Sequence, residues 1–428
     1  MRISILTTFR NLNSGYSLCS VVYYQCRMLE RMGHQVDLLV NETFEDTYPA
    51  PPNVNIRRCI PDMPQKDYNK TQDLTEEHKQ YIDKLAPILV DILKDYDVCL
   101  TQDIVYIGWH MPHALALQKV SPQTQHCLFL HFINSVPPRC AKNTTYDWWD
   151  INKYTPNHKL VSFTEHNKKL IMDWYLANED QVVVIPHSRD PRIENNFCQE
   201  TWDLIDDMPN ILQGDIVCVY PASTDRLNPK QVHIVLGLFD AFKRRNMRCA
   251  LVIANQWATG RCPKENIEKY KNLGIGLGLR YGEEFLFTSE WRAPKYETGI
   301  SREMLSNLRK CANFFPFPTI EEAYGLVGLE AALDGQYLVM NSDVGCFKEI
   351  YGESAHYEAF GAIEQNSVKG MTYEQVVVYL DDMSQRILEG MKKDKTCMAK
   401  THIRCQNNMD KIYFIYEDIF TKWQTHGV

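Results

Sequence analysis

The sequence predicts an α/β fold made of two similar units, each built on an open parallel sheet. Residues 2–40 have the pattern strand, helix, strand, which is the βαβ opening of such a sheet. A buried strand at 216–220 and an amphipathic helix at 231–244 begin a comparable pattern again. With 428 residues, of which 44% are hydrophobic, the chain is long enough for two cores of ordinary size.

The first half alternates short apolar runs with helical patterns. Residues 8–15 are a polar turn, 41–80 an irregular connection and 192–214 a polar connection. A long loop at 134–158 carries aromatic side chains suited to sugar faces or nucleobases, namely Tyr146, Trp148, Trp149 and Tyr154. Strands are predicted at 2–7, within 33–40, and at 54–59, 97–100, 127–130, 159–163 and 182–185, and helices at 16–31, 81–94, 111–119 and 165–176.

Four residues of this half are candidates for the ligand crevice, because loops at the carboxyl ends of parallel strands face it. Gly15 follows the first strand, where a backbone can approach a phosphate, although a plain turn fits equally well. Gln102 and Asp103 follow the strand at 97–100 as acceptor-side groups or as turn caps. His131 follows the strand at 127–130, as a donor to a ligand or as a histidine bonded to its own loop.

The second half repeats the alternation of strands and helices. Strands are predicted at 216–220, 248–254, 281–288, 312–317 and 336–340, and helices at 231–244, 266–273, 301–311 and 372–391. Residues 400–423 carry apolar side chains at helical spacing, which predicts one last helix.

Two cations precede the helix at 231–244. The positive end of a helix dipole interacts unfavourably with cations such as Arg226 and Lys230, so their position before the helix has another reason. Either they hold an anion, or they lie on a solvated surface loop.

The stretch 317–335 reads as a loop that turns into a helix. Gly325 suits unusual backbone angles at the turn, and Gly335 ends the helix. The helix is nearly all apolar, which predicts burial on most sides and a partner for Glu330. Glu322 and Glu330 lie eight positions apart, roughly 12 Å along a helix, so they suit two hydroxyl-bearing parts of one long ligand. Favourable charges at a helix start are the alternative.

This stretch closely resembles the E-x7-E signature of retaining glycosyltransferases of family 4, which continues into a strand and the glycine loop around Gly345. The resemblance implies a GT-B fold, with two Rossmann-like domains whose parallel sheets face a central cleft. It places Glu322 beside the transferred sugar and Glu330 on the ribose hydroxyls of the donor. It also assigns the diphosphate to Arg226 and Lys230, with a spacing here one residue shorter than in the family.

The same resemblance extends to the rest of the chain. It implies a donor contact by His131 and a glycine turn at Gly15, in a segment with fewer glycines than many members have. We expect the helix start, made of Tyr324, Gly325, Leu326 and Val327, to lie on the donor side.

Composition narrows the functional classes. The net charge of −8 speaks weakly against non-specific nucleic-acid binding. The fourteen cysteines lack ligand spacing, so they are expected to be buried free thiols rather than zinc ligands. We expect neither metal nor cofactor. The apolar part of the N-terminus is too short for a signal peptide, and we expect a cytoplasmic protein.

The expected domains are an acceptor-side domain at 1–205, a donor domain at 206–402 and a helix at 403–428 that packs back on the first domain. The expected activity is metal-independent transfer of a sugar from a UDP- or GDP-linked donor to an acceptor hydroxyl, with retained configuration and attack on the face that the diphosphate leaves. The alternatives are another GT-B reaction, transfer to a hydroxymethylated base in DNA, and a non-catalytic GT-B scaffold. The acceptor itself is not identified by the sequence.

Overall fold

The structure of the protein is a computed structural model that describes residues 1–13, 15–46, 51–68, 70–102, 104–106, 108–135, 150–256, 264–360 and 373–426. The strands are β1 (Arg2–Leu6), β2 (Gln35–Asn41), β3 (Asn55–Ile60), β4 (Val98–Gln102), β5 (Leu128–Phe132), β6 (His158–Ser162), β7 (Val182–Val184), β8 (Ile216–Ser223), β9 (Cys249–Gln256), β10 (Phe285–Phe287), β11 (Phe314–Phe317), β12 (Tyr337–Asn341) and β13 (His356–Glu358).

The helices alternate with these strands along most of the chain. They are α1 (Ser17–Arg31), α2 (Glu76–Leu93), α3 (Met111–Val120), α4 (Glu165–Tyr175), α5 (Pro191–Glu194), α6 (Gln199–Asp207), α7 (Asn210–Gln213), α8 (Val232–Arg244), α9 (Lys264–Gly276), α10 (Arg302–Cys311), α11 (Leu326–Leu333), α12 (Gly345–Tyr351), α13 (Tyr373–Lys393), α14 (Lys395–Asn407) and α15 (Met409–His426).

The chain divides into two units. Unit 1 comprises Met1–Ser188 and Met409–Val428, and unit 2 comprises Arg189–Asn408. The segment 189–205, which the sequence analysis placed in the first domain, belongs to unit 2. The bond from Cys198 N to Asn307 Oδ1 (2.9 Å) attaches this segment to α10 of unit 2, and the buried pair Arg192–Asp190 lies within the segment.

Unit 1 is built on one sheet of seven parallel strands in the order β3-β2-β1-β4-β5-β6-β7. Its inner strands are nearly continuous apolar runs, because parallel strands are covered on both faces. Helix α15 returns to this unit and packs beside α1. There Gln25 Nε2 donates to Tyr416 Oη (3.1 Å), and a ring nitrogen of His34 lies 2.9 Å from Tyr413 Oη.

Unit 2 has two three-stranded parallel sheets, β10-β9-β8 and β11-β12-β13. Asn313, just before β11, joins them. Its backbone N donates to Val217 O (3.0 Å), its Oδ1 accepts from Val217 N (2.8 Å) and its Nδ2 donates to Asp215 O (2.8 Å). The strands of unit 2 therefore follow the order β10-β9-β8-β11-β12-β13.

The predicted α/β class with two parallel-sheet units is confirmed, and three local predictions are wrong. Strand β5 extends to Phe132, so His131 lies within a strand rather than after it. The last helix is interrupted at Asn408, whose Nδ2 donates to the carbonyls of Arg404 (2.7 Å) and Cys405 (3.3 Å) and so caps α14. Helix α11 is buried on one side only, since Leu326 and Leu333 are exposed.

Candidate functional site

The candidate site lies where the strand order of unit 2 reverses. From β8 the chain proceeds to β9 on one side, whereas from β11 it proceeds to β12 on the other. The loops that leave the carboxyl ends of β8 and β11 therefore diverge, which opens a crevice at this switch point. The first loop carries Arg226 and Lys230, and the second carries Glu322.

An ion pair joins the two loops across this point. Lys230 Nζ lies 2.8 Å from Glu322 Oε2, and the two side chains are only 16% and 21% exposed. The ammonium also lies 4.9 Å from the ring centroid of Phe317. Tyr220 Oη, from β8, donates to Lys230 O (2.6 Å) and so fixes the backbone that carries the lysine.

Glu322 is held as a carboxylate. Burial alone would raise its pKa, but the hydrogen bond and the charge of Lys230 outweigh burial and hold the pKa of Glu322 below its usual range. The second oxygen, Oε1, accepts from Ala323 N at 3.2 Å. Both oxygens therefore have a donor, and the side chain is still partly open to solvent.

Arg226 lies one turn before the paired lysine, since Lys230 N donates to Arg226 O at 3.0 Å. Its side chain is exposed, and it forms no hydrogen bond or ion pair with a residue that the structure describes. Among the described residues, the loop after β8 thus presents one paired cation and one cation without an ion pair.

The start of α11 completes this side of the site. Gly325 has φ +78°, and a Cβ there would lie 3.0 Å from Phe317 Cε1 and 3.1 Å from Phe347 Cε1, so the turn requires glycine. The amides of Leu326 and Val327 belong to the first helical turn, which has no intrahelical acceptors. The first turn also contains no acidic residue, so the positive end of the helix is open to an anion. Tyr324, just before the turn, is exposed.

Glu330 lies further along α11 and is held by a residue that the sequence analysis did not single out. Arg309, in the last turn of α10, forms an ion pair with Glu330 through Nη1 and with Asp334 through Nε (2.8 Å). The expected partner of Glu330 therefore exists, although the carboxylate is 40% exposed rather than buried. A basic residue in the last turn of a helix is ordinarily explained by the helix dipole, so its sequence gave no signal of this role.

The described candidate residues of unit 1 are bonded to other side chains of the unit. His131 is buried, with Nδ1 2.8 Å from Thr101 Oγ1 and Nε2 2.9 Å from His158 Nδ1. Burial lowers the pKa of His131 to about 3. Neither ring nitrogen is therefore available to a ligand in this arrangement.

Gln102 is buried in a chain of amides. Its Nε2 donates to Gln25 Oε1 (2.6 Å), and its Oε1 accepts from Asn134 Nδ2 (3.0 Å). Gly15 is exposed, and its N donates to Asn13 Oδ1 (2.8 Å) in the turn before α1. Asp103 and the loop aromatics Tyr146, Trp148 and Trp149 lie outside the described residues, whereas Tyr154 is buried and donates to Ala114 O (2.9 Å).

Three further findings concern the described residues. They contain no group of three or more His, Cys, Asp or Glu side chains placed to hold a metal ion. Every cysteine among them is a free thiol, and most are buried. None of their helices combines the length and the apolar character needed to cross a membrane.

Comparison with known proteins gives a weak structural likeness. No protein-family model and no curated protein matches the sequence. A glycosyltransferase from Rickettsia africae ESF-5 is 14% identical with a TM-score of 0.37, covering 99% of this chain and 98% of its own. A sucrose-phosphate synthase from Thermosynechococcus elongatus is 15% identical with a TM-score of 0.37, covering 99% of each chain.

A third solved structure, Anabaena HepE in complex with UDP and glucose, is 12% identical with a TM-score of 0.34 and covers 99% of this chain and 100% of its own. TM-scores below 0.5 carry no argument for a shared activity. The function is therefore inferred from the residues of the site.

Proposed function

We propose that the protein is a retaining glycosyltransferase, which moves a sugar from a nucleotide diphosphate sugar to an acceptor hydroxyl without a metal ion. The observation that carries the proposal is the ion pair between Lys230 and Glu322 at the switch point of unit 2. Arg226, which has no ion pair with a described residue, lies one turn away. A cation and a carboxylate from two different loops meet where open α/β sheets bind their ligands.

The donor diphosphate is assigned to the positive groups of this site. Arg226 has no competing partner among the described residues, and Lys230 lies one turn after it. The free amides of Leu326 and Val327 add the N-terminus of α11. These groups stabilise the charge that develops on the diphosphate as the sugar leaves, which is the work that a metal ion performs in other transferases.

The two carboxylates are assigned to the hydroxyl groups of the donor. Glu322, fixed beside Lys230, accepts from the sugar next to the diphosphate. Glu330, on the same segment and partly exposed, accepts from the ribose. A carboxylate that accepts hydroxyl donors forms stronger hydrogen bonds than a neutral acceptor does, which favours these two positions for recognition.

The chemical step breaks the bond between the anomeric carbon and the diphosphate oxygen, and the electron pair leaves with the diphosphate. The acceptor oxygen forms its bond to the same face of that carbon, and its proton passes to the departing phosphate oxygen. Atoms and charge balance without an enzyme nucleophile. We assign none of the described side chains to a covalent intermediate.

The test is a thermal-shift panel of UDP, GDP, ADP and TDP sugars, repeated with Glu330→Ala. A ligand that binds only the folded state raises the midpoint temperature of unfolding. At a ligand concentration of a hundred times Kd, the free energy of unfolding increases by about 2.7 kcal/mol. We expect a rise with one nucleotide class and a smaller rise in the variant. No rise with any sugar nucleotide would overturn the proposal.

Retention is tested on the identified donor. The anomeric proton of the first transferred product, or of the sugar released to water, is observed by NMR before it equilibrates. The proposal requires the configuration of the donor, and the opposite anomer would overturn it.

A further inference from the structure

Arg309 joins the end of α10 to two carboxylates of the segment that contains α11. Its side chain is 14% exposed, and it reaches from the last turn of α10 to Glu330 in α11 and to Asp334, the residue that follows α11. These two acidic residues are four positions apart, so they lie on the same face of the helix. One guanidinium therefore spans a full turn of α11.

The two contacts differ in what they leave exposed. Arg309 Nε bonds to Asp334 Oδ2 (2.8 Å), and both side chains are largely buried. Arg309 Nη1 bonds to Glu330 Oε2, and the Glu330 side chain remains partly exposed. The Asp334 contact therefore fixes the plane of the guanidinium, and the fixed plane aims Nη1 at Glu330.

The backbone of this arrangement is also anchored. Gln336 Nε2 donates to Arg309 O (3.1 Å), and Lys400 Nζ donates to Asp334 O (2.6 Å). The first bond attaches the end of α10 to the residues that follow α11. The second attaches Lys400 of α14 to the backbone of Asp334, just after α11. Arg309 therefore holds Glu330 from a rigid support.

Glu330 keeps free hydrogen-bonding capacity despite this contact. Its Oε1 accepts no hydrogen bond from a described residue, whereas Oε2 is engaged by Arg309. A glutamate side chain without such a partner loses rotamer freedom when a ligand orders it, and this loss weakens binding. Holding the carboxylate beforehand removes that cost, which is the general benefit of a preorganised site.

We propose that Arg309 is a positioning residue, which holds Glu330 ready for the ribose hydroxyls of the donor, and that Asp334 orients Arg309. The inference rests on the proposed function, because it assumes that Glu330 binds ribose. A purely structural role for Arg309, as a tie between α10 and α11, would change stability without changing how the site discriminates among riboses.

The experiment measures that discrimination directly. Dissociation constants are determined by calorimetry for UDP, GDP, ADP and TDP and for their 2′,3′-dideoxy forms. The full chain is compared with the variants Glu330→Gln, Arg309→Met, Arg309→Lys and Asp334→Asn. The quantity of interest is the ratio of dideoxy to ribo dissociation constants for the nucleotide that binds. We expect Glu330→Gln to reduce this ratio by about tenfold, the effect of one charged hydrogen bond.

Arg309→Met is expected to reduce the ratio nearly as much as Glu330→Gln does, and the double variant Arg309→Met/Glu330→Gln is expected to show no further reduction. Arg309→Lys should retain an intermediate ratio, because an ammonium lacks the fork that serves both carboxylates. Asp334→Asn should give the smallest reduction, since Arg309 keeps its contact with Glu330.

The outcomes separate the two proposals. If the wild-type protein binds none of the four nucleotides, the proposed function fails and this inference fails with it. If the wild-type protein discriminates and Glu330→Gln does not lower the ratio, the ribose role of Glu330 is overturned. If Glu330→Gln lowers the ratio but Arg309→Met leaves it unchanged, the positioning role alone is overturned. Should Arg309→Met fail to fold, a wild-type ratio in Arg309→Lys overturns it equally.

Discussion

The two units carry polar residues of different kinds at the ends of their strands and in the segments that follow. In unit 1, His131 bonds to Thr101 and to His158, and Gln102 bonds to Gln25 and Asn134. In unit 2, Arg226, Lys230, Glu322 and Glu330 are charged, and each is at least partly open to solvent. The first set is neutral and mostly buried, whereas the second is ionic and accessible.

This difference follows from the cost of burying polar groups. A buried polar atom without a partner destabilises the fold, so the side chains of unit 1 are satisfied by one another. A residue that binds a ligand must instead stay at least partly open to solvent in the unliganded protein. The four charged residues of unit 2 meet that condition, whereas His131 and Gln102 are buried and bonded within unit 1. We therefore expect donor binding to depend on unit 2 and stability to depend on the unit 1 networks.

The largest effect is expected for Lys230→Met. The change removes the cation opposite Glu322, so it should reduce transfer by about a hundredfold or more, as the loss of one stabilising group in a polar active site does. The free energy of unfolding should fall by about 1–3 kcal/mol, because Glu322 is only 21% exposed and loses its charged partner. Donor turnover and urea unfolding are measured on the same samples.

Lys243→Met is the matched control. Lys243 pairs with Glu284 of the same unit at 2.7 Å, and Glu284 is nearly buried. Without Lys243, the nearly buried carboxylate of Glu284 has less positive charge beside it. The control variant should therefore lose at least as much stability as Lys230→Met does, while its sugar-transfer activity stays at the wild-type level. Equal loss of activity in both variants would break the comparison.

A smaller effect, on stability alone, is expected for His131→Phe. The ring volume is kept, but Thr101 and His158 lose their shared partner, which should destabilise unit 1 by about 1–3 kcal/mol. Donor affinity, measured by calorimetry, should stay at the wild-type value. A variant of wild-type stability with weakened donor binding would restore the role that the family resemblance gives to His131.

The same variant has a characteristic pH dependence. Burial lowers the pKa of His131 from 6.5 to about 3, so below pH 6.5 the unfolded chain takes up a proton that the folded chain refuses. Wild-type stability therefore falls as the pH decreases from 6.5 toward 3. His131→Phe lacks this loss, so its deficit relative to wild type should shrink in acid. A deficit that grows as the pH falls would contradict a neutral buried histidine.

The sequence predicts local features of the fold and the site, but not the contacts between segments that are distant along the chain. The parallel sheets followed from apolar runs, and Lys230 and Glu322 followed from a charge pattern and a resemblance. Their pairing did not follow, because it joins two loops that only the strand order brings together. The contact of Arg309 with Glu330 is of the same kind, since α10 and α11 are separated by β11.

Two failures of prediction have local causes. The apolar periodicity continues through Asn408 and so predicted one uninterrupted helix. Periodicity does not report that the Asn408 side-chain amide caps the preceding helix. The apolar character of α11 suggested burial all round, yet the helix packs through Gly328, where a Cβ would lie 2.4 Å from Tyr351 Oη. Such close packing uses the small residues of one face, and Leu333 on the other remains 89% exposed.

The smallest effect on the fold, and a clear one on binding, is expected for Arg226→Gln. The side chain is exposed and has no ion pair with a described residue, so its loss should change the free energy of unfolding by less than about 0.5 kcal/mol. If the guanidinium binds the diphosphate, the Kd of the donor should rise by about tenfold in the variant, which is the value of one charged hydrogen bond.

Arg248→Gln is the control that should leave the Kd unchanged. It removes an arginine that lies at the amino end of β9 and is bonded to Gln213. The Arg226 side chain forms no hydrogen bond or ion pair with a described residue, so its role is tested by binding alone. A variant that binds the donor as tightly as wild type would identify the loop after β8 as solvated surface and leave Lys230 as the cation for the phosphates.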